Sequence, residues 1–145
     1  MTDSYLPSPT ERIRDHVARY EASDGVDGGT MEGRPVVILT TVGARSGALR
    51  KTPLMRIPHG AAYVVVASNA GAATHPAWYR NLTANPDVWL QDGPVTHALR
   101  AREAFGDEKA RLWAVAERHW PHFPGYRAHA GAREIPIVVL EPTAA

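Results

Sequence analysis

The chain has 145 residues, of which 44% are hydrophobic and 21% are charged, a size and composition typical of one folded domain with one buried core. It contains no cysteine, which excludes a disulfide framework, a thiolate metal site and a cysteine nucleophile. Its formal net charge of +1 argues against nucleic-acid binding, which needs many phosphate contacts from a one-sided basic surface. We therefore expect a single domain over residues 1–145 without a nucleic-acid partner.

The cellular location is predicted from the apolar runs of the chain. The first residues are polar and contain prolines, so they lack the apolar stretch that a secretory signal needs. The longest apolar runs, such as residues 61–67, are far shorter than the ~20 residues that cross a bilayer. The sequence therefore predicts a cytoplasmic protein whose contact with a membrane, if any, is peripheral and on its inner face.

Residues 1–33 predict an N-terminal helix followed by a glycine-rich loop. Thr10 can cap a helix in which Ile13, Val17 and Tyr20 form a narrow apolar stripe. The stripe favours packing against the core, with covering of a bound molecule or contact with a membrane as alternatives. Residues 21–33 include four glycines and therefore predict a flexible connection that could close over a ligand.

Residues 34–145 predict six strands and two further helices. Runs rich in β-branched residues between turn signals place the strands at residues 35–42, 49–58, 61–68, 88–91, 95–101 and 135–141. The first three are expected to pair as consecutive antiparallel strands. The helices are expected from Pro76 to about Asn85 and from Asp107 to just before Pro121. Because a mostly antiparallel sheet with three short helices must hide its edges, the predicted fold class is α+β with a β-barrel core.

The densest functional signal is the segment at residues 40–53, TTVGARSGALRKTP, which predicts a strand, a turn with two glycines and the start of the next strand. Glycines let the backbone approach a ligand, and neighbouring N–H groups can form an anion-binding concavity. Arg45, Ser46, Arg50 and Lys51 add donors and positive charge. The segment favours a phosphate site, with a solvated basic hairpin loop as the alternative. It is not a P-loop, because no Gly-Lys-Ser or Gly-Lys-Thr follows.

A second signal joins the end of the third predicted strand to the short helix after it. Residues 68–71, Ser-Asn-Ala-Gly, lead through small side chains toward the helix that begins near Pro76. A helix N-terminus offers free N–H groups and a positive dipole end to an anion, and Trp78 offers a flat wall to an aromatic ring. The alternative is that Trp78 and Leu82 are simply core residues of a short helix.

Residues 120–127, WPHFPGYR, predict an aromatic loop, because two prolines interrupt the segment that follows a helix. Such a loop either lines a pocket for a planar ligand or plugs the end of a barrel. His119 and His122 stand three residues apart, but the proline between them breaks the helix that would align them, so no metal site is predicted. Ser46 has no assignable base and no Gly-x-Ser-x-Gly motif occurs, so hydrolase chemistry is not supported.

Taken in chain order, four segments resemble the deazaflavin-dependent nitroreductase family over about residues 33–142. They are LTTVGARSGALRKTPL, YVVVASNAG, HPAWYRNLTANPDV and, after the aromatic segment, IPIVVLEP. The resemblance implies a split β-barrel of the FMN-binding type and binding of the reduced deazaflavin coenzyme F420. It also implies hydride transfer to an organic acceptor, a quinone or, in some members, a nitro compound.

The resemblance assigns the cofactor's phosphate and side chain to the glycine turn and the strand after it, and the ring or its linker to the end of the third strand. Residues of the short helix would close the groove. The implied cofactor-binding positions are Arg45, Ser46, Arg50, Lys51, Thr52, Pro53, Ser68, Asn69, Ala70, Gly71, Trp78, Tyr79 and Asn81. The acceptor pocket is expected to include Met55, Trp120, Phe123 and Tyr126. Ser68, Tyr126 or water would supply a proton, while the protein mainly positions the reactants.

Two departures from the family pattern bear on these expectations. Asn69 stands where members often carry a lysine, which removes one cationic contact to the cofactor. Trp120 and Phe123 stand where nitroreducing relatives carry tyrosine, which disfavours reduction of nitro compounds.

Two alternative functions remain at this point. One is a split-barrel oxidoreductase that uses flavin mononucleotide, and the other is a non-catalytic protein that carries the deazaflavin. The expected partners are a small quinone-like acceptor, a second copy of the chain in a homodimer, and a membrane surface in peripheral contact.

Overall fold

The computed structural model describes residues 4–143, so the predicted domain ends at residues 1 and 145 lie outside the described residues. Within the described part, the chain forms four α-helices, one 3-10 turn and eight strands. The helices are α1 (Glu11–Ala22), α2 (Ala77–Ala84), α3 (Gly106–His119) and α4 (Phe123–Ala130), and the 3-10 turn is Asn69–Gly71. The strands are β1 (Thr30–Met31), β2 (Arg34–Val42), β3 (Leu49–Met55), β4 (Pro58–His59), β5 (Ala62–Val66), β6 (Asp87–Asp92), β7 (Val95–Ala104) and β8 (Ile137–Pro142).

The strands form one curled sheet in the order β1-β2-β6-β7-β8-β5-β4, and β3 pairs with β2. Every pair of named strands is antiparallel. In the described residues, β3 and β5 are not paired with each other, so the curled sheet is split between these two strands. The predicted α+β class with a mostly antiparallel barrel is confirmed.

The central strand β2 is buried on both faces, which explains its continuous run of β-branched and aliphatic residues. Val36 and Ile38 pack outward against Val17 and Tyr20 of α1. Val37 and Leu39, which alternate with them, point into the barrel core with side chains of β6, β7, β8 and α2. Burial of each such side chain contributes roughly 1.5–3 kcal/mol, so α1 is held to the barrel by its apolar stripe, as predicted.

The predicted flexible connection after α1 is packed against the helix and the β6–β7 turn. The backbone N–H of Gly25 donates to the carbonyl of Tyr20 at 2.8 Å, and a ring nitrogen of His16 lies 2.7 Å from the carbonyl of Gly28. Gly25 has a φ of +84°, and a Cβ there would lie 2.7 Å from Cα of Gly93. The glycines therefore permit a close approach that composition alone does not distinguish from flexibility.

The prediction of three consecutive antiparallel strands was wrong at the third strand. β3 ends at Met55, and β5 pairs with the short β4 and with β8 instead of with β3. Four residue pairs join β5 to β8, whereas β4 and β5 share only two. The predicted hairpin turn at His59-Gly60 is present between β4 and β5, but the longer ladder of β5 is with the distant β8, which leaves the edge of β3 facing a cleft.

The predicted aromatic loop contains a fourth helix, α4, and the two short strands β1 and β4 raise the predicted six strands to eight. Pro124 lies in the first turn of α4, where helical N–H groups have no partner and a proline is tolerated. Phe123 and Ala130 are buried on one side of this helix. Proline was a helix-start signal here, although it is more familiar as a helix breaker.

Candidate cofactor and acceptor cleft

A cavity of about 930 Å³ fills the split between β3 and β5. Its walls are the β2–β3 loop, β3, the end of β5, the Asn69–Gly71 turn, the start of α2 and the aromatic residues around α4. The described residues that line it include no aspartate or glutamate. Those that carry basic groups are Arg45, Arg50, Lys51, His75 and Arg80. The lining therefore favours an anionic ligand.

The structure brings nearly all predicted site residues to this one cavity. Of the predicted cofactor positions, Arg45, Ser46, Arg50, Lys51, Thr52, Pro53, Ser68, Asn69, Ala70, Trp78 and Asn81 line it. All four predicted pocket residues, Met55, Trp120, Phe123 and Tyr126, line it as well. Two segments about 70 residues apart in the chain thus face each other across one cleft.

Gly71 and Tyr79 are placed outside the lining. Gly71 has a φ of +82° and packs against α4, where a Cβ would lie 2.7 Å from the carbonyl oxygen of Tyr126. The Tyr79 hydroxyl donates to the Glu103 carboxylate of β7. Burial and that carboxylate raise the pKa of Tyr79 to about 12. Neither residue lines the cavity, so direct contacts of Gly71 and Tyr79 with a cofactor stay predictions.

The β2–β3 loop is closed by its own backbone. The N–H of Gly43 donates to the carbonyl of Ala48 at 2.7 Å, and the N–H of Gly47 donates to the carbonyl of Gly43 at 3.0 Å. Ser46 Oγ accepts from the N–H of Ala48 at 3.1 Å. A Cβ at Gly43 would lie 2.6 Å from Ser46 Oγ, so glycine is required for this closure.

Asn81 ties this loop to helix α2. Its amide oxygen accepts from the N–H of Ala44 at 3.0 Å, and its amide nitrogen donates to Thr41 Oγ1 at 3.1 Å. Both Asn81 and Thr41 are buried, so the two bonds are shielded from water. Although Asn81 lines the cleft, its polar atoms are used to hold the loop.

The cationic side chains of the cleft differ in whether they form an ion pair within the chain. Arg45, Arg50 and Arg80 form no ion pair with any residue between 4 and 143. Lys51, in contrast, pairs with Glu21 of α1, and its ammonium lies 4.8 Å from the centre of the Tyr5 ring. The charge of Lys51 is therefore largely satisfied within the chain, which leaves the three arginines as the groups available to an anion.

The turn after β5 presents backbone N–H groups to the cleft. Asn69, Ala70 and Gly71 have φ values of 47°, 52° and 82°, three successive left-handed residues. For the two that are not glycine, this conformation costs of order 1–2 kcal/mol each. With Ser68 in the right-handed region, Ser68 and Asn69 form the backbone arrangement known as an anion-binding nest. The N–H groups of Asn69 and Ala70 donate to no described residue, so they are available to a ligand.

Arg133, which sequence reasoning missed, holds this strained turn in place. Its guanidinium donates to the carbonyl oxygens of Ala72 at 2.8 Å, Ala67 at 3.2 Å and Ser68 at 2.6 Å. Arg133 lies between α4 and β8, more than 60 residues from each of these carbonyls. No local motif signals the contact, because it depends on the pairing of β5 with β8.

The other end of the cleft is aromatic. Trp120 and Phe123 are buried, and Tyr126 is half-buried at the lining. The indole N–H of Trp120 donates to the Tyr126 hydroxyl at 3.4 Å. The His122 ring packs edge-on against Trp120 and is stacked with Tyr126, and it lies 2.9 Å from the Glu32 carboxylate at the β1–β2 turn. This end suits a planar, apolar ligand, with the Tyr126 hydroxyl as its polar contact.

Metal binding and membrane insertion find no support in the described geometry. Among residues 4–143, no three His, Asp or Glu side chains are grouped so that they could hold a metal ion. None of the helices in that range has both the length and the apolar character that crossing a bilayer requires.

The donor set fits an anionic cofactor with a flat ring system. Arginines without an ion pair among the described residues line the cleft together with the glycine loop, and Trp78, which is buried in the barrel core, also contributes to the lining. The cavity is within the 300–1,000 Å³ range usual for cofactor sites.

Comparison with known proteins agrees with this geometry. A family model described as F420H(2)-dependent quinone reductase matches residues 12–142. An F420H(2)-dependent quinone reductase of Mycobacterium tuberculosis is 36% identical over 132 residues, which are 88% of each chain. A solved F420-H2-dependent reductase is 40% identical with a TM-score of 0.69, over 74% of this chain and 95% of that chain.

Two further solved structures extend the comparison. One, described as a domain-swapped dimer, is 38% identical with a TM-score of 0.71, over 92% of this chain and 100% of that chain. The heme storage protein of Vibrio cholerae, at 16% identity and a TM-score of 0.58 over 79% of this chain and 85% of that chain, shares the fold alone. The predicted split barrel is confirmed.

Proposed function

Because the chain belongs to the F420H(2)-dependent quinone reductase family, we propose that it transfers hydride from reduced coenzyme F420 to a quinone-type acceptor within the cleft described above. The chain is thus an oxidoreductase whose cofactor is coenzyme F420. The observation that carries the assignment is a cleft lined, among residues 4–143, by arginines without an ion pair and by aromatic side chains, and by no aspartate or glutamate of that range.

The basic end of the cleft is proposed to hold the cofactor's anionic side chain. Arg45 and Arg50 supply charge-assisted hydrogen bonds to phosphate oxygens, and the Ser46 hydroxyl and loop N–H groups add neutral donors. Thr52 and Pro53, in β3, line the wall beside this loop. Asn81 contributes indirectly, because it fixes the loop.

The middle of the cleft is proposed to hold the tricyclic ring. Trp78 offers its indole face, while Ser68, Asn69 and Ala70 present one hydroxyl and free backbone N–H groups along the opposite edge. Asn69 adds no charge here, where a lysine would, so the turn relies on backbone donors. The strain of the turn is maintained by the three carbonyl contacts of Arg133.

The aromatic end is proposed to receive the acceptor beside the ring. Met55, Trp120 and Phe123 exclude water and set the plane of a flat acceptor. When bound, reduced F420 supplies the hydride, that is, two electrons and one hydrogen nucleus. One proton is then needed to complete a hydroquinone, and the Tyr126 or Ser68 hydroxyl donates it and is reprotonated by water. A buried strong acid or base is not required.

The proposed partners are a second copy of the chain and, peripherally, a membrane that contains the acceptor. A homodimer is supported by the relative solved as a domain-swapped dimer. Membrane contact is supported by Leu6, an exposed leucine that also lines the cleft, whereas the stripe of α1 is already buried. We also propose a cytoplasmic location, as the sequence predicts. Light scattering tests the dimer, and co-sedimentation with anionic phospholipid vesicles tests the membrane contact.

Turnover is the experiment that tests the proposed function. Purified protein is mixed with reduced F420 and a soluble naphthoquinone, and the absorbance of the oxidised deazaflavin is followed. We expect oxidation that depends on both protein and quinone and that saturates with each substrate. Binding without turnover would instead identify a carrier of the cofactor, and turnover with reduced flavin mononucleotide alone would identify the flavin enzyme.

A further inference from the structure

His75 lines the cleft just before helix α2, and one of its ring nitrogens already has a hydrogen-bond partner. Its Nδ1 lies 2.7 Å from Nη1 of Arg133. A guanidinium has only donors, so Nδ1 accepts this hydrogen bond through its lone pair. The ring proton must therefore be on Nε2, and the imidazole must be neutral while the bond exists.

The partner that imposes this tautomer is itself immobilised. The Arg133 guanidinium also donates to three carbonyl oxygens of the 67–72 segment, so it cannot rotate away without losing several hydrogen bonds. The same side chain thus fixes the strained turn and the orientation of His75. Two parts of the cleft wall are locked together by one residue.

The surroundings of His75 favour the neutral form. Burial, and then the charge of Arg133, hold the pKa of His75 below its usual value. Glu103 of β7 opposes this shift, and Arg80 adds a smaller contribution in the same direction as Arg133. The Tyr79 ring lies 4.8 Å from the imidazole, centre to centre, and is uncharged below about pH 12. These are the titratable and charged groups that face His75 from α2, β7 and the segment before β8.

The remaining ring nitrogen has no hydrogen-bond partner in the described part of the chain. Nε2 of His75 makes no hydrogen bond with any residue between 4 and 143, although the residue lines the cleft and is half-buried. An N–H donor in a partly desolvated wall favours an oxygen acceptor on a ligand. Ser68 and Arg80 line the same cleft as His75, so the oxygen would belong to a molecule that occupies this cleft.

We propose that the Nε2–H of His75 donates a hydrogen bond to an oxygen atom of the bound deazaflavin, and that Arg133 is the positioning residue that fixes this donor. The inference rests on the proposed function, because it assumes that the cleft holds that cofactor. Two groups of the cofactor offer such an oxygen atom, the carbonyl groups of its ring and its phosphate.

The first test is the tautomer of His75 in the ligand-free protein. Histidine side chains labelled with ¹⁵N are observed by NMR at neutral pH, and the His75 signals are assigned by their loss in His75→Gln. We expect a neutral ring with its proton on Nε2, and a mixture of tautomers in Arg133→Lys, whose single ammonium cannot serve all four acceptors. A proton on Nδ1, or a doubly protonated ring, in the wild type would overturn the proposal.

The second test is affinity for two deazaflavins, measured by fluorescence titration. We expect His75→Ala to weaken F420 binding about 3- to 10-fold, as for one neutral hydrogen bond, and His75→Gln to restore part of it through its amide N–H. If the deazaflavin fragment without the phosphate is weakened equally, the acceptor is a ring carbonyl. If only F420 is weakened, the acceptor is the phosphate.

The outcomes separate this proposal from the proposed function. Wild-type binding of F420 with no change in His75→Ala would overturn the role of His75 and leave the cofactor site intact. Failure of the wild type to bind either deazaflavin would overturn the proposed function, and the cofactor contact with it. Circular dichroism of His75→Ala and His75→Gln checks that a loss of binding is not a loss of fold.

Discussion

The amide oxygen of Asn81 accepts a hydrogen bond from the backbone N–H of Ala44 at 3.0 Å, across 37 residues of chain. Its amide nitrogen also donates to Thr41 Oγ1. The shape of the anion-binding loop is therefore set from helix α2, and the basic end of the cleft is coupled to the wall that carries Trp78 and His75.

Asn81→Asp tests this coupling, because it keeps the acceptor for Ala44 but removes the donor to Thr41 and adds a negative charge. We expect a loss of about 1–3 kcal/mol in the free energy of unfolding and weaker F420 binding. The matched control is Asn85→Asp, which makes the same change at an exposed position beyond α2. Urea denaturation and fluorescence titration are the measurements. Equal behaviour of the two variants would contradict the role of Asn81.

Gly71→Ala tests the contact between the strained turn and α4. Gly71 and Gly60 both have positive φ, +82° and +62°, so alanine is unfavourable at either. Only at Gly71 would the new Cβ meet backbone, at 2.7 Å from the Tyr126 carbonyl oxygen, while at Gly60 it enters open space. We expect Gly60→Ala to cost about 1 kcal/mol and Gly71→Ala roughly 1–3 kcal/mol more. Similar midpoints of urea unfolding would show that the turn and α4 are not closely packed.

Tyr79→Phe and Tyr126→Phe separate a supporting tyrosine from a tyrosine of the cleft. The Tyr79 hydroxyl donates to Glu103 outside the lining, so its loss is expected to lower stability by about 0.5–1.5 kcal/mol and to leave F420 affinity unchanged. Tyr126 lines the acceptor end, so loss of its hydroxyl is expected to lower kcat. Because the indole N–H of buried Trp120 then loses its acceptor, stability is expected to fall by about 0.5–1.5 kcal/mol as well. Steady-state kinetics and thermal unfolding of both variants check the pair. A larger fall in kcat for Tyr79→Phe than for Tyr126→Phe would show that Tyr79, and not Tyr126, acts in the cleft.

The change in the free energy of unfolding above pH 10 tests the environment of Tyr79. Its pKa is raised to about 12 in the folded protein from an ordinary value near 10, so the folded state binds the proton more tightly than the unfolded chain. The resulting stabilisation is fully present below pH 10 and is lost as the pH rises toward 12. We expect the free energy of unfolding to fall less steeply between pH 10 and 12 in Tyr79→Phe than in the wild type. Parallel curves would show that Tyr79 titrates normally.

The features of the cleft that were predictable are those encoded locally. The glycine loop at residues 43–48 carries its turn signals, its donors and its charge within one short segment, so both its shape and its chemistry are visible in sequence. The small residues after β5 are similarly informative, because a turn that needs positive φ at Gly71 leaves few choices. Trp120, Phe123 and Tyr126 line the cleft, although α4, which carries the last two, was not predicted.

The features that were not predictable depend on long-range pairing. The cleft exists because β5 joins β8 instead of β3, and β8 lies about 70 residues further along the chain. The same pairing brings Arg133 to the carbonyls of the turn and to His75, a contact that no spacing rule indicates. The pairing of Lys51 was not predictable either, because its charge is evident from the sequence but its partner Glu21 is supplied by a helix whose position is set by packing.

The proposed function requires that the free arginines of the cleft bind an anionic deazaflavin. A fluorescence titration measures this affinity. Oxidised F420 and flavin mononucleotide are titrated into the wild type, Arg50→Ala and the control Arg111→Ala, which removes an exposed arginine of α3 outside the cleft. We predict that F420 binds more tightly than the flavin, and that Arg50→Ala weakens it about tenfold or more while Arg111→Ala does not. Tighter flavin binding, or equal effects of the two substitutions, would contradict the account.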